Sequence, residues 1–240
     1  MHVKSLDRQN SPADAILLSL QQVESERAQR DADPALEGLV AAVKRFQHAR
    51  FEHSYADLMA DRRYAGATRF FLEDLYGPGD FTHRDTQFAR IVPALVRLFP
   101  RDIVSTVAEL AALHALSEQL DSAMALALDD AQINPATYSK AWRFVGQPEA
   151  RDRQIALMVS VGQALDRHTR NPLLRHSLRL MRSPAKAAGL GALQRFLETG
   201  FDTFRAMKGA ADFLDTIASR EREMAALLFA GGEVSPSTDS

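Results

Sequence analysis

Residues 69–85, RFFLEDLYGPGDFTHRD, gather the densest set of chemically capable groups in this sequence. Glu73, Asp74, Asp80 and Asp85 crowd one stretch with Arg69, Arg84 and the Tyr76 hydroxyl. Carboxylates this close repel one another unless a cation lies among them. Arginine suits that place, because its planar fork bridges two carboxylates and stays charged. The segment therefore reads as a corner held by caps and an Arg–carboxylate pair. The alternative is a polar binding site formed by Tyr76, Asp80, Arg84 and Asp85. His114 is the other group of this kind. It lies among Leu110, Leu113 and Leu116, so it is either a core histidine with a hydrogen-bond partner or the polar contact of a pocket. At the extreme it is an axial ligand to haem iron.

The recognisable catalytic and metal patterns are missing. There is no cysteine, which excludes thiol catalysis, iron–sulfur ligation and cysteine-based zinc sites. None of the seven histidines (His2, His48, His53, His83, His114, His168, His176) follows a glutamate by three residues, the pairing that helical di-iron sites use. The zinc-protease spacing His-Glu-x-x-His is absent. His48 with Glu52, His53 with Asp57 and His114 with Glu118 each stand four apart and can share a helix face, a spacing that arises often by chance. No phosphate loop and no serine elbow is present. The reading is thus no catalytic residue, no metal and no resident cofactor, and it weighs against an enzyme.

Phe70-Phe71-Leu72-Glu73-Asp74-Leu75-Tyr76 resembles the signature of a bacterial family named for its FFLEELY motif, with Asp74 in place of a glutamate. That resemblance implies no activity, substrate or cofactor. Physically, the segment is a helix ending in a tight corner. Gly77 stands where a left-handed C-terminal residue is wanted, and Pro78 prevents continuation. Thr82, with Asp85 three residues on, opens the next helix in a capping-box arrangement.

The elements that position these groups are helical. Ser11-Pro12, Asp33-Pro34, Asn134-Pro135, Asn171-Pro172 and Ser183-Pro184 each place a capping side chain before a proline. Proline is tolerated at the first helical position because its missing N–H would be unpaired there. Between these starts the apolar residues recur at three and four, as in Leu36, Leu39, Val40, Val43 and Phe46. The spacing predicts helices near 12–30, 34–59, 63–76, 83–98, 101–130, 135–145, 148–168, 172–182, 184–199 and 201–230, with Pro93 kinking or restarting the fourth. Residues 184–230 form one helix or two, broken near Gly200. The fold class is all-α: a single bundle-like domain of about 8–10 helices over residues 11–230, with a flexible 1–10 and a disordered 231–240 tail.

Composition fits that picture. With 46% apolar and 25% charged residues over 240, the chain can bury a core without disulfides or metals. The N-terminus lacks the long apolar run of a secretory signal, and no stretch reaches the roughly 20 apolar residues of a membrane span, so the expected place is the cytoplasm. Only five of 29 basic residues are lysines (Lys4, Lys44, Lys140, Lys186, Lys208). That bias, with abundant alanine, suggests a GC-rich bacterial genome. The net charge of −2 hides an asymmetry: Arg101 to Ile133 carries about −5 and Arg151 to Lys186 about +6. Arg175, Arg179 and Arg182 share one helix face, a basic surface open to an anionic partner or answered by another helix. Nucleic acid is disfavoured, since the whole chain is slightly acidic. Three functions compete: first, a non-catalytic interaction or regulatory protein with a protein partner or a second copy of itself; second, a binder of an apolar small molecule or haem in an internal pocket; third, an enzyme without a familiar motif.

Overall fold

The computed structural model describes residues 11–75, 77, 82–234 and 236. Among them every regular element is helical, and 83% of the structure is helix. The order is α1 (Pro12–Asp31), α2 (Pro34–Ser54), α3 (Ala56–Ala60), α4 (Ala65–Arg69), a π-helical turn (Phe70–Leu75), α5 (Thr82–Leu98), α6 (Arg101–Leu126), α7 (Pro135–Val145), α8 (Pro148–Thr169), α9 (Pro172–Leu180), α10 (Arg182–Ala187), α11 (Gly191–Ala206) and α12 (Ala211–Phe229). The all-α expectation holds.

The proline starts work as their chemistry dictates at four of five places. Ser11 and Asp14 close a capping box on α1, and Asn134 and Thr137 close one on α7. Asp33 accepts from the Ala35 and Leu36 N–H groups, and Asn171 from Leu173. Ser183 is no cap: α10 already begins at Arg182, one residue earlier. α5 runs on through Pro93 without ending there.

Several boundaries differ from the periodic reading, and tertiary contacts accompany most of the differences. The stripe of α2 does not carry through to residue 59. The chain breaks at Tyr55 (φ −119°, ψ 20°), which sends its hydroxyl 2.6 Å to Glu221 of α12. Arg220 satisfies the freed Ser54 carbonyl at 2.8 Å. The expected 63–76 helix turns π at Phe70, where Phe70, Phe71 and Leu72 are all buried. An α-helix spreads three consecutive side chains over about 200° of its surface, so a widened turn is one way to sink all three. α6 stops at Leu126, short of residue 130. The breaks in the C-terminal third lie at 188–190, where Gly189 takes φ 73°, and at 207–210, not near Gly200. Lys208 (φ 55°) and Gly209 (φ 124°) turn the chain there, and Arg63 donates to the Met207 and Gly209 carbonyls at 2.8 and 3.0 Å. Gly200 instead lies inside α11 under the Phe70 ring, where an added Cβ would come within 2.8 Å of the ring.

α6 is the central helix, in contact with α1, α2, α5, α7 and α8. α8 lies antiparallel to it, as the pairs Ser117–Gln154, Glu109–Ser160 and Thr106–His168 require. Three apolar clusters fill the spaces between helices. One gathers Phe71, Phe204 and Phe213; a second Val43, Met124, Trp142 and Leu228; a third Ile16, Leu20, Val92 and Ala111. Leu20 and Ala111 of the third also line a cavity between α5, α6 and α11.

Candidate functional site

His114 sits on the face of α6 that also carries Leu110 and Ser117, four and three residues away. α5 crosses that face, and Asp85 on its first turn meets the imidazole, with Nε2 2.9 Å from the carboxylate. From α1, Arg27 reaches the same carboxylate oxygen at 2.7 Å. Arg84 lies 3.5 Å from the other oxygen and donates to the Asp74 carbonyl at 2.6 Å. The Arg84 guanidinium also stacks 4.5 Å from the Phe196 ring of α11. Three elements, α1, α5 and α6, thus converge on one carboxylate.

The electrostatics follow. Burial pushes the Asp85 carboxyl up, but the His114 hydrogen bond and the Arg27 and Arg84 charges outweigh it and hold it below its ordinary value. An ionised carboxylate only accepts, so Nε2 of His114 carries the proton it shares with Asp85. Burial lowers the pKa of the Arg84 guanidinium, against the pull of Asp85 and Asp74, and burial raises the Asp74 carboxyl.

Two cavities meet at this cluster. One, of about 100 Å³, lies between α5, α6 and α11, walled by Phe88, Ile91, Val107, Leu110, Phe196 and Leu197, with Arg84, Asp85, His114 and Ser117 along one side. Leu193 lines it too, and its N–H donates 3.0 Å to the buried Gln87 of α5, which ties the start of α11 to α5. The second, a polar groove of about 490 Å³, opens between α1, α2, α5 and α6 beside Arg27, Arg30, Lys44 and Glu118. Asp85 and Leu20 line both. In the groove, Glu118 is bound by Arg30 at 2.5 Å and by Lys44 at 2.8 Å. Arg30 also reaches the Glu118 carbonyl and the Ser122 hydroxyl at 3.1 and 3.0 Å.

Of the residues expected from sequence, Arg84, Asp85 and His114 come together here, and the arginine expected among the carboxylates is Arg84. Tyr76 and Asp80 lie outside the described residues. At Gly77 an added Cβ would collide with the Glu73 carbonyl oxygen and lie 2.9 Å from that of Leu72, so close backbone approach already demands glycine. Arg27 was missed. Sequence spacing offers no signal for a partner 58 residues away.

The basic face is answered by α11. Arg175 pairs with Asp202 at 2.9 Å and Arg182 with Glu198 at 2.6 Å, while Glu118 of the acidic segment turns to Arg30 and Lys44 instead. Exposed pairs contribute about 0–1 kcal/mol. Reversing Arg175 and Arg179 to glutamate should therefore lower unfolding free energy by only about 1 kcal/mol, read by urea denaturation. A loss several times larger would make the face a structural clamp.

Among the described residues, no group of three or more metal-ligating side chains is placed to hold a metal, and no helix is long and apolar enough to cross a membrane. A family model described as a domain of unknown function (DUF8198) matches residues 26–235, which include Arg27, Arg84, Asp85 and His114. No curated protein and no solved structure matches the chain.

Proposed function

The chain belongs to the family of this domain of unknown function (DUF8198), and on that footing we propose that it binds a small amphipathic molecule in the cavity between α5, α6 and α11. The observation that carries the reading is a wall of apolar side chains facing a single polar cluster, Arg84–Asp85–His114. Ligand sites have this form: apolar lining gives affinity, and a few placed polar groups fix orientation. At about 100 Å³, the space falls short of the ~150 Å³ of an engineered cavity that takes benzene. It suits a short aliphatic chain or a single small ring, with a hydrogen-bonding head at His114 and Arg84. A haem would not fit, since pockets for larger ligands start at roughly 300 Å³. The Asp85 bond fixes the His114 ring, so the polar end is pre-organised. The resemblance of Phe70–Tyr76 to the FFLEELY signature supports a bacterial setting, and a reducing cytoplasm suits a chain without cysteine.

A melting-temperature screen of short-chain and monocyclic alcohols, amides and carboxylic acids tests the reading. A saturable rise with at least one class is expected. Leu197→Trp should abolish it at little cost in folding, because Leu197 lines the cavity yet is 38% exposed. If every class leaves the wild type unmoved, or the Trp variant responds equally, the cavity is not the site.

A second reading, an interaction protein, has α9 on its side. None of its residues is buried, and Leu173, Leu180 and Met181 at its end are exposed. A second copy of the chain docked there would appear as a dimer that Leu173→Ser with Leu180→Ser dissociates.

A further inference from the structure

Away from this site, α2, α7, α8 and α12 enclose a smaller cavity of about 60 Å³, lined among others by Gln47, Arg50, Tyr138, Trp142, Arg151 and Glu221. Arg151 enters it from the first turn of α8. Its residue is 5% exposed, and its guanidinium lies 3.9 Å above the Trp142 ring. Its Nε and Nη2 make no hydrogen bond, nor do Trp142 Nε1 and Arg50 Nε. All four orphaned atoms are donors. Buried polar groups are normally satisfied, and a buried charge is normally paired.

The carboxylates nearby do not cover Arg151. Glu221 is taken by Arg50 at 2.9 and 3.1 Å and by the Tyr55 hydroxyl at 2.6 Å. Asp121 is buried on α6 and senses Arg151 electrostatically, but forms no ion pair with it. What Arg151 lacks is a free, negatively charged acceptor within hydrogen-bond reach.

We propose that this cavity is an internal site for one compact monovalent anion, an inorganic halide or nitrate or a small carboxylate, held by the Arg151 guanidinium with the Trp142 and Arg50 N–H groups. The size agrees: a water occupies roughly 10–15 Å³ on this measure, so about 60 Å³ takes a small anion with a water or two. A planar guanidinium presents two adjacent donors to such an anion, and hydrogen bonds between charged partners are the strong ones. Bound there, the anion ties α8 to α7 and α2, and stabilises the fold by mass action.

The test is the melting temperature at constant ionic strength, with sodium gluconate replaced stepwise by chloride, bromide, nitrate or acetate. Gluconate is too large to enter. A saturable rise with at least one small anion is expected, and whether the halides or acetate produce it identifies the source. Arg151→Met should weaken the apparent affinity by about tenfold or more. Should that variant fail to fold, Trp142→Phe keeps the ring under Arg151, removes one donor and should still weaken the response. Crystals soaked in the responding halide or carboxylate should carry it beside Arg151. Indifference to the swap, an equal response in the foldable variants, or a bound anion only elsewhere would overturn the proposal.

Discussion

Replacing Glu118 by alanine is expected to lower the unfolding free energy by about 3–5 kcal/mol, since removing one partner of a buried ion pair leaves uncompensated charge. The residue is 3% exposed on the central helix, between Arg30 of α1 and Lys44 of α2. Without it the two cations face each other, and Arg30 keeps only the backbone carbonyl of residue 118 and Ser122. The same contacts set a pH dependence. Burial raises the Glu118 carboxyl, but Lys44 and Arg30 outweigh it and hold it at about 2, below the usual 4.5. A carboxyl depressed by folding gives stability that is full above its unfolded pKa and lost as pH falls through the folded one. The wild type should therefore lose stability between about pH 4.5 and 2. Glu118→Gln should flatten that slope in denaturation curves taken across the range. An unchanged slope would place the acid sensitivity elsewhere.

Phe71→Ala is expected to cost about 3–5 kcal/mol, the usual range for emptying a phenylalanine site in a core. Phe71 is 4% exposed in the π turn and packs on Phe204 of α11 at 6.1 Å and edge-on to Phe213 of α12 at 5.7 Å. Both neighbours are fully buried, so the hole has little freedom to collapse. Denaturation with an unchanged m-value is the check. A loss under about 1 kcal/mol would mean the turn is less tightly held than its geometry implies.

The helices were legible wherever a local signal sufficed. Ser11, Asp33, Asn134 and Asn171 announce their helices because cap and proline act on adjacent backbone. The break at Tyr55 was not legible, because the hydroxyl's partner Glu221 is 166 residues away. Gly200 misled for a related reason. A glycine within an apolar stripe reads equally as a break or as room for a neighbour, and only the tertiary fold brings Phe70 there.

Three of the cluster's four residues, Arg84, Asp85 and His114, were visible. His114 on an apolar stripe and Arg84 among carboxylates were unusual in local context, while Arg27 joins them only when α1 crosses α5. The buried charges were readable in principle. Arg50 follows Phe46 by four, Glu221 follows Ile217 by four, and Arg151 precedes Ile155 by four. Each is a charge at a core register. Which charge answers which depends on helix packing, and periodicity does not encode it.

The cavity beside His114 is proposed to hold a small amphipathic ligand. Methyl-resolved NMR tests it most directly, using whichever compound class raises the melting temperature. Saturable shifts are expected at Val107, Leu110 and Leu197, which line the cavity. Leu36, Val43 and Leu228, in the second apolar cluster, should stay still, and His114→Gln should weaken the affinity while the same methyls respond. Saturable shifts at other methyls, with Val107, Leu110 and Leu197 unmoved, would contradict it.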